Sequence, residues 1–164
     1  MNFLKDIYRL SVIKRYSNVP KIQQESVAEH CFHVAAICME MHDIYDFNLG
    51  EALQIAVSHD MPEMELNDAP HVIKQKYPQI KAAFEACERE VAKSLPTACC
   101  WGVMAYDAQE CVESKIVFLA DAMQCVQFSK VEVDLGNKGY MREVYINSEL
   151  RVQEIKKELK QYER

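Results

Sequence analysis

Between Ile116 and Val126 this chain is apolar nearly all the way round a helical wheel, and a carboxylate, Asp121, sits in the middle of the run. A helix without a polar face must bury its whole circumference, so the rest of the chain has to place helices around it. The composition suits that demand: 4 glycines and 5 prolines stand in 164 residues, while Ala, Met, Leu, Glu, Lys and Gln are plentiful. Long helices are favoured over turn-rich sheet, and an all-α chain forming one domain over residues 1–164 is expected.

Apolar spacing predicts about six helices: from Phe3 to Ile13, Val27 to Ile44, Leu49 to Met61, Ile80 to Ser94, Ala108 to Glu132, and a charged one after the Gly136-Asn137-Gly139 turn. Ser26 and Glu29 have the spacing of a capping box, which fixes the start of the second helix. Its core face runs through Val27, Cys31, Val34, Cys38 and Met41, with His30 beside that stripe. Residues 17–24, with Asn18 and Pro20, read as a loop, as do Glu65 to Tyr77 (loop or short turns) and Pro96 to Trp101.

A net charge of -6 speaks against a nucleic-acid partner, because phosphate contacts along a duplex need a basic stripe. A small phosphorylated ligand needs only a few local cations, and Lys14, Arg15 and Lys74 are available. The 7 cysteines are odd in number, and Cys31 and Cys38 lie in a helical pattern, so free thiols in a reducing cytosol are expected. No apolar run reaches membrane-spanning length, and Lys5, Asp6 and Arg9 interrupt the N-terminus. A soluble cytoplasmic protein follows as the expectation.

Phe118, Leu119, Ala120, Ala122 and Met123 around Asp121 imply its burial, and an unpaired buried carboxylate costs several kcal/mol, roughly. Something positive has to meet it: a metal ion, or a Lys or Arg from elsewhere. His59 and Asp60 are adjacent, so on a regular helix their side chains diverge by about 100°. Pro62 supplies a reason for the helix to end there and for both to face one ion. His33 reads as a packing or supporting residue, His42 as a surface residue and His71 as an exposed loop histidine. The serine-elbow, phosphate-loop and dinucleotide motifs are missing, and Cys-His nucleophilic catalysis is disfavoured because helix-face cysteines usually pack as small hydrophobes.

The order His30, His59-Asp60, Asp121 in a helical chain resembles the HD-domain metal-dependent phosphohydrolases. Lys14-Arg15-Tyr16, the run from Glu25 to His30, the run from His59 to Glu63, Asp68-Ala69-Pro70 and the run from Leu119 to Ala122 are similar to the 5′-deoxynucleotidase (YfbR-like) branch, with related phage enzymes that strip phosphates from dATP. The resemblance covers Phe3 to the Gly136-Asn137 turn. It implies a helical bundle with a central metal site, His30, His59, Asp60 and Asp121 as ligands, and Glu63 as the acidic group near the reactive water. It further implies that Arg15 grips phosphate with Lys74 as helper, and that Asp68 contacts the sugar 3′-hydroxyl.

Tyr16 stands where the branch usually has a tryptophan that crowds the sugar 2′ position, and Asn67 where it often has glycine. One divalent ion is expected, Co, Mn, Zn or Fe with Mg as a further option, since the histidines of dinuclear relatives are missing. The expected substrate is a deoxynucleotide, losing either one 5′-phosphate or a whole triphosphate, and association into a dimer or larger homo-oligomer follows from the same resemblance. A catalytically silent nucleotide-binding protein is the alternative outside the enzyme class.

Overall fold

Nine α-helices follow one another among the described residues: α1 (Phe3–Asp6), α2 (Val27–Met41), α3 (Leu49–Ser58), α4 (Glu63–Leu66), α5 (His71–Lys76), α6 (Pro78–Lys93), α7 (Thr97–Ala108), α8 (Val112–Asp134) and α9 (Tyr140–Leu159). The structure, a computed structural model, describes residues 2–68 and 71–164, with the backbone alone at 71, 72 and 75. It is all-α, with 3-10 turns at Ile7–Ser11 and Lys160–Tyr162. None of the described helices is long and apolar enough to cross a membrane.

Helix α8 is the axis of the bundle, as its apolar circumference requires. It packs against α2, α3, α7 and α9, and buries Ile116, Val117, Leu119, Ala120 and Ala122 completely. The main core forms where these meet Val34 and Cys38 of α2, Ala52, Ile55 and Ala56 of α3, and Ile155 and Leu159 of α9. A second cluster, with Leu10, Val27, Cys31, Met64 and Val103, seals the other side of α2.

Helix α2 begins at the expected cap: Ser26 Oγ accepts from the Glu29 amide at 3.2 Å, and Glu29 Oε2 accepts from the Ser26 amide at 2.7 Å. The N-terminal helix does not run to Ile13. The Ile13 carbonyl is taken by the Val27 amide at 3.1 Å, and the Arg15 amide by the Glu25 carbonyl at 3.0 Å, which draws the chain out of helical geometry and onto the start of α2.

The sequence did not disclose α7, which begins inside the expected break from Pro96 to Trp101 and runs to Ala108, where the next helix was expected to start. Pro96 gives it no side-chain cap, and it ends on Gln109 at φ 53 rather than on a glycine. The reversal at Gln109 moves the start of α8 to Val112, where Cys111 Sγ caps the Ser114 amide. Gly102 lets α7 lie directly on α3, since a Cβ there would stand 2.0 Å from Ser58 Oγ and 3.1 Å from the Gln54 carbonyl oxygen.

Candidate functional site

Helix α3 ends at Ser58, four residues before Pro62, and the chain leaves it through a tight turn in which the Met61 amide donates to the Ser58 carbonyl at 2.9 Å. That turn brings both His59 and Asp60 to the same side, with His59 Nε2 3.3 Å from Asp60 Oδ2. Opposite them α2 presents His30 Nε2, 3.3 Å from His59 Nε2 and 3.5 Å from Asp60 Oδ2. From α8, Asp121 Oδ1 completes the group 3.4 Å from His30 Nε2. Two imidazoles and two carboxylates thus converge at the centre of the bundle.

One donor atom each from His30, His59 and Asp121 lies within 4.8 Å of the others, all three residues buried, which is the spacing ligands of a single ion require. Cys31, His59 and Asp60 form an overlapping group, but burial, with Asp60 and Glu63 adding to it, pushes the Cys31 thiol well up. A mixed nitrogen and oxygen set suits the borderline divalent transition metals. A further sign of fit is Glu63 Oε2, buried with no hydrogen-bond partner among the described residues. A polar atom left so needs a water or an ion in company.

Asp121 also meets the cation that its burial called for. Its Oδ2 accepts from Tyr106 Oη at 2.9 Å and from Arg151 at 3.2 Å, leaving Oδ1 toward the histidines. Arg151, from α9, lies with its guanidinium 4.1 Å from the centre of the Phe118 ring. Burial alone would raise the Asp121 carboxyl, but His30, Arg151 and Arg15 outweigh it and hold the group well below the usual carboxylate range.

Arg15 stands against this centre rather than in solvent. Its Nη1 donates to Glu25 Oε2 at 3.1 Å and Gln124 Oε1 at 2.9 Å, and approaches His30 Nδ1 at 2.7 Å. Tyr16 takes a left-handed backbone, φ 53, stacks on Phe128 at 5.3 Å, and donates its amide to Asp68 Oδ2 at 3.2 Å. Asn67 likewise has φ 62, a conformation more natural to glycine. Ala69 and Pro70 of the Asp68-Ala69-Pro70 motif lie outside the described residues.

A cleft of about 200 Å³ opens beside the centre, lined by His59, Asp60, Glu63 and Lys74 with Tyr106 and Asp107 of α7. Burial raises the Glu63 carboxyl well above its usual range, and Asp60 and Asp68 raise it further against the pull of Arg15 and Lys74. Burial also raises Asp68. Lys74 Nζ is anchored by Glu88 Oε1 at 2.9 Å, and that pairing outweighs burial to keep its charge.

Two further histidines, His33 and His42, stay apart. His33 is exposed, 3.4 Å from Glu25 Oε1, and His42 packs edge-on to Phe47. His71 begins the short helix α5 rather than lying in an open loop, and its side chain is outside the described residues. Sequence reasoning gave no site role to Tyr106, Arg151, Glu25 or Gln124. Gln124 carried a signal, three residues after Asp121 on one helix face, whereas nothing in the sequence of α9 distinguishes Arg151 from its other charges.

Comparison with known proteins shows the family and the fold. The chain matches, over residues 2–162, the model of a family described as 5′-deoxynucleotidase YfbR-like, a span that takes in α9 beyond the turn where the resemblance in sequence stopped. Its fold is similar to a protein of Pyrococcus horikoshii, with TM-score 0.78 and 22% identity over 93% of this chain and 87% of that one. An HD-domain phosphohydrolase of Listeria innocua gives TM-score 0.77 at 21% identity, covering 94% and 80% of the two chains. DatZ, the HD phosphohydrolase of cyanophage S-2L, seen with dA and one catalytic Zn2+ ion, gives 0.62 at 23% identity, covering 93% and 82%. No curated protein matches significantly.

Proposed function

The chain belongs to the YfbR-like family of 5′-deoxynucleotidases, HD-domain hydrolases acting on deoxynucleotides, and from that premise we propose that it removes the 5′-phosphate of deoxynucleoside monophosphates with one divalent transition metal. The observation that carries this reading is the convergence of His30, His59 and Asp121 within 4.8 Å, with Arg15 packed against His30. A cation next to a metal centre is the pairing that phosphoryl transfer needs, since its catalysis is largely positioning and charge stabilisation.

His30, His59, Asp60 and Asp121 would hold the ion. When bound, it supplies Lewis acidity, polarising a phosphoryl oxygen and acidifying water. Arg15, already desolvated, offers its guanidinium to the non-bridging oxygens and Lys74 adds a second charge from the cleft wall. Glu63, raised by burial and by two neighbouring carboxylates, is placed to take up a proton at Oε2, which has no partner among the described residues. Asp68, steadied through one oxygen by the Tyr16 amide, keeps the other for a sugar hydroxyl. Tyr16, held flat against Phe128, forms the wall beside that sugar.

Cytoplasmic residence and homo-oligomer formation belong to the same reading. The latter is supported by Leu4, Tyr8 and Val12, more than 70 % exposed along the N-terminal segment (77%, 76% and 72%).

Phosphate release from dNMPs, NMPs and dNTPs, each with Co, Mn, Zn or Mg, tests the proposal. Metal-dependent release from dNMPs, abolished by Asp121→Ala, is the expected result. Release of triphosphate from dATP would move the reaction to a triphosphohydrolase. Binding of dAMP without turnover under any metal would leave a silent nucleotide-binding protein.

A further inference from the structure

The two histidines at the centre are oriented by different means. His59 Nδ1 donates to the Ala56 carbonyl at 2.8 Å, a backbone partner that no side-chain substitution removes. His30 Nδ1 meets a side chain instead, Gln124 Oε1 at 2.9 Å. Gln124 is 4% exposed and lies on α8 one turn beyond Asp121.

The neighbours of Gln124 leave its carboxamide one orientation. Glu25 Oε1, at 2.5 Å, accepts and therefore faces Nε2, whereas Arg15 Nη1, at 2.9 Å, only donates and therefore faces Oε1. With the oxygen turned toward His30, the ring satisfies it by carrying its proton on Nδ1. Nε2 is then a bare lone pair directed at His59 and Asp121. Arg15 Nη1, 2.7 Å from Nδ1, would favour the opposite tautomer, but its two hydrogens are already given to Glu25 Oε2 and Gln124 Oε1. The acceptor on Gln124 is thus what tips His30 toward the form that can ligate.

We propose that Gln124 is a positioning residue that selects the Nδ1–H tautomer of His30 and so presents Nε2 to a divalent metal, with Glu25 and Arg15 holding its amide in register. The inference rests on the reading of His30 as a metal ligand. A partner of this kind typically governs metal affinity by about 10–100-fold.

The test is Co(II) binding to the full chain without substrate, by competition with a chelator and by the visible absorption of the bound ion. Gln124→Leu, similar in volume and without an acceptor, is expected to bind at least about tenfold more weakly and with an altered spectrum. The double variant Gln124→Glu with Glu25→Gln restores the donors and acceptors that join positions 124, 25, 15 and 30 with the same net charge, and is expected to stay within about tenfold of wild type. A folded Gln124→Leu protein with wild-type affinity and spectrum would overturn the proposal. Should that variant not fold, the double variant decides: retained affinity supports the proposal, and a loss beyond tenfold overturns it. Wild type failing to bind Co(II) would overturn the metal reading itself, a result distinct from any failure of the nucleotidase assay.

Discussion

Replacing Gly102 and Gly50 by alanine should move stability in opposite directions, although the substitution is the same and both glycines are helical. Alanine gains about 1 kcal/mol over glycine in a helix interior, so propensity alone raises stability at either site. At Gly102 the new Cβ would stand 2.0 Å from Ser58 Oγ, 3.1 Å from the Gln54 carbonyl oxygen and 3.3 Å from Ile55 Cα. Against a contact optimum of about 3.5 Å the first distance is short by about 1.5 Å. Ser58 could turn aside only by giving up its 2.7 Å bond to Gln54, and the two backbone contacts would remain. Helices α3 and α7 must therefore part, at an overpacking cost of about 1–3 kcal/mol. The net is a loss of up to about 2 kcal/mol, or up to roughly 8 °C in Tm for a chain of this size. At Gly50 the Cβ meets only Asn48 Oδ1 at 3.4 Å, and a gain of about 0.4–1 kcal/mol is expected. Thermal melts by circular dichroism measure both, and Co(II) titration should show weaker binding for Gly102→Ala alone, because α3 ends beside His59. Adding Ser58→Ala to Gly102→Ala should recover part of the loss, as contacting residues couple. A Gly102→Ala protein melting above wild type, or strict additivity with Ser58→Ala, would refute the close packing of α7 on α3.

Glu132, fully buried, accepts from the Ile22 and Gln23 amides at 2.8 and 2.6 Å and from Asn137, so Glu132→Gln should cost about 2 kcal/mol at neutral pH. Burial opposes but these bonds outweigh it and lower the carboxyl, so its contribution is full above the unfolded value of about 4.3 and is lost as pH falls through the folded one. Urea melts of both proteins from pH 7 downward should show the difference shrinking only below that value; a constant difference would contradict the assignment. Tyr106→Phe removes the hydroxyl that steadies Asp121 Oδ2 and should weaken Co(II) binding by about tenfold with little change in fold, which a chelator competition reads directly. Asn67→Gly relieves φ 62 and ψ 165 and should raise stability by about 1 kcal/mol, unless calorimetry finds the variant less stable. Removal of metal by a chelator should lower Tm and its return restore it, since an ion at about 100 times its Kd contributes about 2.7 kcal/mol.

Much of the fold was legible because local rules governed it. The capping box at Ser26 and Glu29, the core stripe of α2 and the apolar circumference of α8 each follow from side-chain periodicity, and the structure places them accordingly. Helix α7 was hidden because neither end carries a conventional signal: Pro96 offers no side-chain acceptor, and Gln109 takes a left-handed turn usually left to glycine or asparagine. The N-terminal helix was overextended for the converse reason, its pattern continuing to Ile13 although pairing with residues 25 and 27 overrides it.

By itself the sequence determined that the chain is helical and that α8 is central, and it marked His30, His59, Asp60 and Asp121 as the expected ligands of one ion. Periodicity, Pro62 and the cost of burying Asp121 are properties of neighbours along the chain, so they could be read from it. Only the tertiary structure decided that Arg151 and Tyr106 share Asp121, that Gln124 joins His30 to Arg15 and Glu25, and that Glu63 keeps an oxygen without a partner among the described residues. Those contacts join residues up to 109 positions apart, and their geometry is set by how helices pack, which no local pattern encodes.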